Sequence, residues 1–135
     1  MTFNLRVLSP DKSVFDGVAD EVILPCTSGQ MGILTGHVSM LTALDDGVLR
    51  VREGTTWQSI ALMGGFAEVD ANEVTVLVNG AEMAQDIDPV KAERELESAL
   101  QAAAALESQS SSTAKVKALQ TLSQARARVA AIKGL

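Results

Sequence analysis

The chain has 135 residues, 47% of them hydrophobic and 21% charged, with a net charge of −6. That is enough apolar material for one small cored domain with an appendage, and too much for wholesale disorder. An acidic chain with no Tyr and 3% aromatics is poorly suited to nucleic acid, whose phosphates attract Lys and Arg and whose bases stack on rings.

Single residues exclude further classes. Cys26 is the sole cysteine, so no internal disulfide can staple a secreted scaffold. His37 is the sole histidine, which excludes a multi-His zinc site, and no metal site is expected. The segment Met1 to Arg6 lacks a basic region followed by an apolar run, and no stretch approaches the ~18 apolar residues of a spanning helix. A soluble protein of a reducing compartment is expected, one that meets a membrane only through a partner.

From Thr2 to about Met83 the pattern is strand-like. Leu5 to Leu8 forms a short strand stopped by Ser9-Pro10-Asp11, since Pro fixes φ and Asp bonds back to the backbone. Val14-Phe15 precedes a turn at Asp16-Gly17. Glu21 to Leu24 ends at Pro25, and Val38 to Leu44 ends at Asp45-Asp46-Gly47. Val48 to Arg52 alternates, although Val48 breaks the polar face. Glu53-Gly54 turns the chain into Trp57 to Met63. Phe66 to Val69 leads through Asp70-Ala71-Asn72 to a last strand carrying Val74, Val76 and Val78. Short strands with this punctuation predict a flattened antiparallel β-sandwich or barrel. Gly64-Gly65 between apolar segments marks a kink or bulge at a sandwich corner.

After Asp86 the strong helix formers take over. Asp88 suits an N-cap and Pro89 the first helical position, predicting a helix over about 89–107. Val90, Leu96, Leu100, Ala103 and Leu106 mark its apolar face. A Ser-rich break from Ser108 to Thr113 separates it from a second helix over about 114–132, with Val116, Leu119, Leu122, Val129 and Ile132 on its apolar face. The two units are therefore a β-sandwich over 1–86 and an antiparallel helical hairpin over 87–135. The facing residues of the hairpin are often Ala, which buries little area, so a low-stability unit able to move against the sandwich is expected.

The charge is unevenly placed. All 17 acidic residues and six basic ones lie between Met1 and Glu107, a net −11; Ser108 to Leu135 has no acid and carries Lys115, Lys117, Arg126, Arg128 and Lys133, a net +5. Basic residues favour a helix C-terminus, but an acid-free helix on an acidic protein reads better as a docking element for an acidic surface.

No catalytic constellation is visible. His37 lacks a nucleophile and acid partner, Cys26 reads as a small partly buried residue, and neither Gly29-Gln30-Met31-Gly32 nor Gly64-Gly65 has the Lys and following helix of a phosphate loop.

Four segments together resemble one family. They are Ser9-Pro10-Asp11 through Phe15; Ile23-Leu24-Pro25 through Gly29-Gln30-Met31-Gly32-Ile33-Leu34 to His37; Leu41-Thr42-Ala43-Leu44 with Gly47; and Ala61 to Val69 followed by Val74-Thr75-Val76-Leu77. In this order, before a helical hairpin, they resemble the epsilon subunits of F-type rotary ATP synthases. Leu62-Met63-Gly64-Gly65-Phe66-Ala67 and Leu77-Val78-Asn79-Gly80-Ala81-Glu82 are similar to the plastid and photosynthetic-bacterial branch.

The resemblance implies a non-catalytic subunit of the central stalk of a proton-driven ATP synthase. Its sandwich would contact the gamma subunit and the ring of c-subunits. Its hairpin would fold on the sandwich or extend toward alpha and beta, inhibiting ATP hydrolysis. The implied ring and gamma residues are Ser9, Ser28, Gln30, Met31 and His37; Gln30 stands where other members carry Glu. The implied inhibitory contacts are Lys115, Lys117, Arg126 and Arg128. No nucleic acid, lipid insertion or required cofactor is implied. The location would be peripheral, on the stromal or cytoplasmic side of a thylakoid or inner bacterial membrane.

Some members bind ATP through an Ile/Leu-Asp-x-x-Arg-Ala motif. Ile87-Asp88-Pro89-Val90-Lys91-Ala92 is similar, with Lys91 in place of Arg and Arg128 as a further cation. Lys lacks the planar fork that grips phosphates, so Ile87-Asp88 reads first as the entry and cap of a helix. The alternative to a stalk subunit is a nucleotide-sensing module whose hairpin closes weakly on ATP.

Overall fold

The computed structural model describes residues 1–134, so Leu135, the end of the hairpin segment, lies outside the described residues. Eight strands precede two helices. The strands are β1 (Phe3–Ser9), β2 (Lys12–Ala19), β3 (Glu21–Cys26), β4 (Gly29–Leu34), β5 (Met40–Leu44), β6 (Gly47–Glu53), β7 (Thr56–Asp70) and β8 (Glu73–Met83). A single 3-10 turn at Ala84–Asp86 leads to α1 (Pro89–Ala105) and α2 (Thr113–Ile132).

The two longest strands belong to both layers of the sandwich. β7 pairs with β6 up to Leu62 and with β5 from Gly65 onward. β8 follows β7 throughout, and its first half also pairs in parallel with β1. One layer is therefore β2, β1, the first half of β8, the second half of β7, and β5. The other is β4, β3, β6, the first half of β7 and the second half of β8. The crossing sits at Gly64-Gly65, the corner expected from the paired glycines. Gly65 has φ +154°, and a Cβ there would lie 2.1 Å from the Leu77 carbonyl oxygen, so no other residue fits without backbone movement.

Between the layers lies the core, which includes Leu5, Val7, Val22, Leu24, Ile33, Leu49, Ile60, Leu62, Val74 and Val76. The β7–β8 turn uses Ala71 and Asn72 at φ 49° and 63°, the two positive values of a two-residue hairpin turn.

Two expected strand ends are strand interiors instead. Pro25 lies within β3, at the gap where β3's partner changes from Arg50 of β6 to Leu44 of β5, so its missing N–H leaves no ladder bond unmade there. Asp16-Gly17 lies within β2, an edge strand paired only with β1, where glycine is tolerated.

α2 lies directly on β6 and β7, and α1 packs on α2. The hairpin is folded down. Asp88 caps α1, its side chain accepting from the Val90 and Lys91 amides, and Ser112 caps α2 by accepting from the Lys115 amide. Of the expected apolar faces, Leu96, Ala103, Leu122, Val129 and Ile132 do pack inward, and four other residues do not. Val90 and Leu100 are 60% and 42% exposed, and Val116 and Leu119 are also exposed. α1 adds Ala92 and Ala99 to Leu96 and Ala103 on its inner face, while α2 is buried on two sides, Leu122 and Ala125 meeting α1 and Val129 and Ala131 lying in the layer over the sandwich. No described helix is long and apolar enough to cross a membrane.

Candidate functional site

Strand alternation puts Val48, Arg50 and Arg52 of β6, and Trp57, Ser59, Ala61 and Met63 of β7, on the outer face beneath the hairpin. Val48, Ala61 and Met63 are buried there against Ile87, Ala92, Val129 and Ala131. This explains Val48, the apolar residue on an otherwise polar face. Beyond the end of α2 the same face continues as Trp57, 46% exposed, with the Arg50 and Arg52 guanidinium carbons 5.9 and 5.8 Å from its ring centroid.

The opposite outer face is bare. Leu8 pairs with Leu77, Leu77 with Phe66, and Phe66 with Ala43, so one row of apolar residues crosses four strands. Phe66 and Leu77 are 57% and 55% exposed. Ser9 and Pro10 border the row and line a shallow groove with it. Ser9 thus lies beside a surface that motif reading missed. The signal for it was present: Leu77 sits at an outward position between the inward Val76 and Val78.

The remaining expected contacts separate into distinct places. β4 is an edge strand paired only with β3. Ser28 and Gln30 lie at one end and are exposed. Met31 is partly buried against the core and turned away from the others. His37 is half-buried past the other end, its amide donating back to the Leu34 carbonyl in a turn, and Leu34 lies about 13 Å along β4 from Gln30 at ~3.3 Å per residue. Its loop is pinned to the β7–β8 turn, because the Gly36 amide donates to Asn72 Oδ1 at 2.8 Å and Ser39 Oγ donates to Asp70 Oδ1 at 3.2 Å. One partner touching both ends must run along the whole β4 edge.

The basic residues of α2 are equally unlike one another. Lys115 donates from Nζ to the carbonyls of Glu107 and Gln109 at 3.2 and 2.9 Å, closing the end of α1. Lys117 is exposed. Arg126 is exposed and lines a groove that also includes Gln30 and Asp46. Arg128 donates from Nε to Glu82 Oε1 of β8 at 2.6 Å.

Ile87, Asp88, Lys91, Ala92 and Arg128 line one cleft between the hairpin and β8, as the nucleotide motif requires. Glu82, Asp86 and Glu95 line it too. Four carboxylates face two cations, and Arg128 is already engaged, a poor field for a triphosphate. Asp88 spends its side chain on the α1 cap. Among the described residues no cluster of His, Cys, Asp and Glu could hold a metal ion.

A profile of the ATP synthase delta/epsilon chain beta-sandwich domain matches residues 2–84. The chain belongs to the ATP synthase epsilon family. The epsilon chain of Synechococcus sp. (strain CC9902) is 62% identical over 133 residues, covering 98% of each chain. That of Prochlorococcus marinus (strain MIT 9303) is 61% identical over 98% of this chain and 100% of its own. As an epsilon chain the protein is an accessory subunit of a rotary enzyme and is not itself catalytic. Similar folds occur in the Euglena gracilis mitochondrial ATP synthase, an OSCP/F1/c-ring structure (TM-score 0.81, 22% identity, 97% of this chain and 81% of that chain), and in the Tetrahymena thermophila mitochondrial central stalk/c-ring structure (TM-score 0.62, 18% identity, 96% and 95%).

Proposed function

We propose that the chain seats its sandwich on the gamma subunit, turns the β4 edge toward the c-ring, and inhibits ATP hydrolysis through α2. The observation that carries this reading is the contrast of the two outer faces. The Leu8–Leu77–Phe66–Ala43 row is an apolar surface on paired strands with no cover among the described residues, suited to a permanent partner such as gamma. The other face is covered by the chain's own hairpin, whose second helix carries the positive charge. An acidic segment of the alpha/beta catalytic head is the complementary surface once the hairpin extends. Ser28 and Gln30 at one end of β4 and His37 at the other offer polar contacts to the ring. The subunit is then held at the stromal or cytoplasmic side of a thylakoid or inner bacterial membrane by its partners, without inserting into lipid.

Removing residues 108–135 tests the inhibitory part. Assembly should persist, because the bare face and β4 remain, while ATP hydrolysis should rise. Unchanged hydrolysis would refute it.

The convergence of Ile87, Asp88, Lys91, Ala92 and Arg128 on one cleft supports a second reading, weak ATP binding that holds the hairpin down without acting as a required cofactor. Calorimetric titration with ATP tests it. Lys91→Ala is the informative variant, since Asp88→Ala also removes a helix cap worth ~1 kcal/mol. Submillimolar affinity lost in Lys91→Ala supports nucleotide sensing, and no heat at millimolar ATP removes it.

A further inference from the structure

Glu82 is the carboxylate of the hairpin-docking face that bonds to α2. It pairs in register with Ala61 and so stands beside the apolar ground of Val48, Ala61 and Met63. Its bond to Arg128 is, among the described residues, the one hydrogen bond or ion pair between the helices and the sandwich. The rest of that interface is mostly apolar and rich in alanine, Ala92, Ala130 and Ala131 among it, with Gln30 and Asp46 along the groove that Arg126 lines but without a bond to α2 among the described residues. A charge-assisted bond between half-buried groups is a large share of such a contact. Asp86, Asp88 and Glu95 also line the cleft, yet none of them bonds to Arg128.

Arg126 has a different situation. It lies two residues earlier on the same helix, is exposed, and makes no ion pair among the described residues. Arg126 can therefore meet an external carboxylate with the hairpin in any position, whereas Arg128 can do so only after leaving Glu82.

We propose that Glu82 is an internal substitute for the acidic partner: it occupies Arg128 while the hairpin is folded, and Arg128 passes to a partner carboxylate when the hairpin lifts. This rests on the reading that α2 meets an acidic surface, and it adds the regulation of that contact. One guanidinium serves two carboxylates in turn. Whatever weakens the internal pair favours the released hairpin, and whatever captures Arg128 outside does the same, by linkage.

The full chain reports its own state. Trp57, the sole Trp, lines a groove with Ala131, Ile132 and Gly134, so its emission reads whether the end of α2 is seated. Glu82→Gln should raise the released fraction about two- to fivefold in the isolated chain, the range of a partly exposed ion pair, and should deepen inhibition in the assembled enzyme. Arg128→Gln should loosen the hairpin equally but inhibit less. The exchange of both, Glu82→Arg with Arg128→Glu, should restore seating while inhibition stays weak, because a glutamate now faces the acidic partner. Unchanged Trp57 emission and α2 hydrogen exchange in Glu82→Gln would overturn the proposal at its first step. A loosened hairpin with no deeper inhibition would overturn the hand-over while deletion of residues 108–135 still relieves inhibition. If that deletion relieves nothing, the inhibitory reading itself fails and the hand-over falls with it.

Discussion

Val48, Ala61 and Met63 form the apolar ground of one outer face, and Leu8, Leu77, Phe66 and Ala43 form that of the other. Both grow from the same two strands, since β7 and β8 serve both layers. The first face is covered by alanine-rich helices and one ion pair. The second carries larger side chains and is covered by none of the described residues. Burying a large aliphatic or aromatic side chain contributes ~1.5–3 kcal/mol, several times what an alanine methyl contributes. Residue for residue, a contact built on the first face is the weaker and one built on the second the stronger.

The comparison can be broken first at the corner that separates the faces. Gly65→Ala forces a Cβ onto the Leu77 carbonyl at an unfavourable φ, and should cost at least ~2–3 kcal/mol, read as a lower urea midpoint. Next comes the bare face. Phe66→Ser with Leu77→Ser should leave the isolated chain's urea midpoint almost unchanged, within about 0.5 kcal/mol per exposed site, but weaken binding to gamma tenfold or more in a pull-down titration. Equal binding would remove that face from the interface. Smaller effects belong to the covered face. Backbone amides of α2 should exchange with deuterium faster than those of β7; equally slow exchange in both would remove the contrast between a hinged cover and a fixed body. Last, Arg126→Gln should relieve inhibition only slightly, since an exposed pair is worth ~0.2–1 kcal/mol.

Much of this contrast was legible in the residues. The change from strand to helix after Asp86, the Asp88-Pro89 helix start and the glycine corner follow from local chemistry. The split of −11 and +5 located the charged arm. Layering was not legible. A single chain does not show that α2 lies between α1 and the sandwich, so Val90, Leu100, Val116 and Leu119 looked like core when the inner faces use alanine. Alanine is too frequent in this hairpin for its period to stand out. Pro25 looked like a terminator because its ladder gap is set by distant β5 and β6. At the candidate sites, equal-looking basic residues took unequal roles: Lys115 closes α1, Arg126 stays free among the described residues, and Arg128 is held by Glu82. Those differences depend on what folds beside each residue.

The crossing of β7 from one layer to the other has a mechanical meaning. A partner pulling on Phe66 and another pressing on the hairpin side at Ala61 act on one covalent strand of 15 residues. Force between them need not pass across the slippery apolar plane between the layers. It runs along the backbone and loads the flanking hydrogen-bond ladders in shear, where many bonds resist together. A small body mounted on a turning shaft would thereby carry torque as a braced beam rather than as two plates that slide.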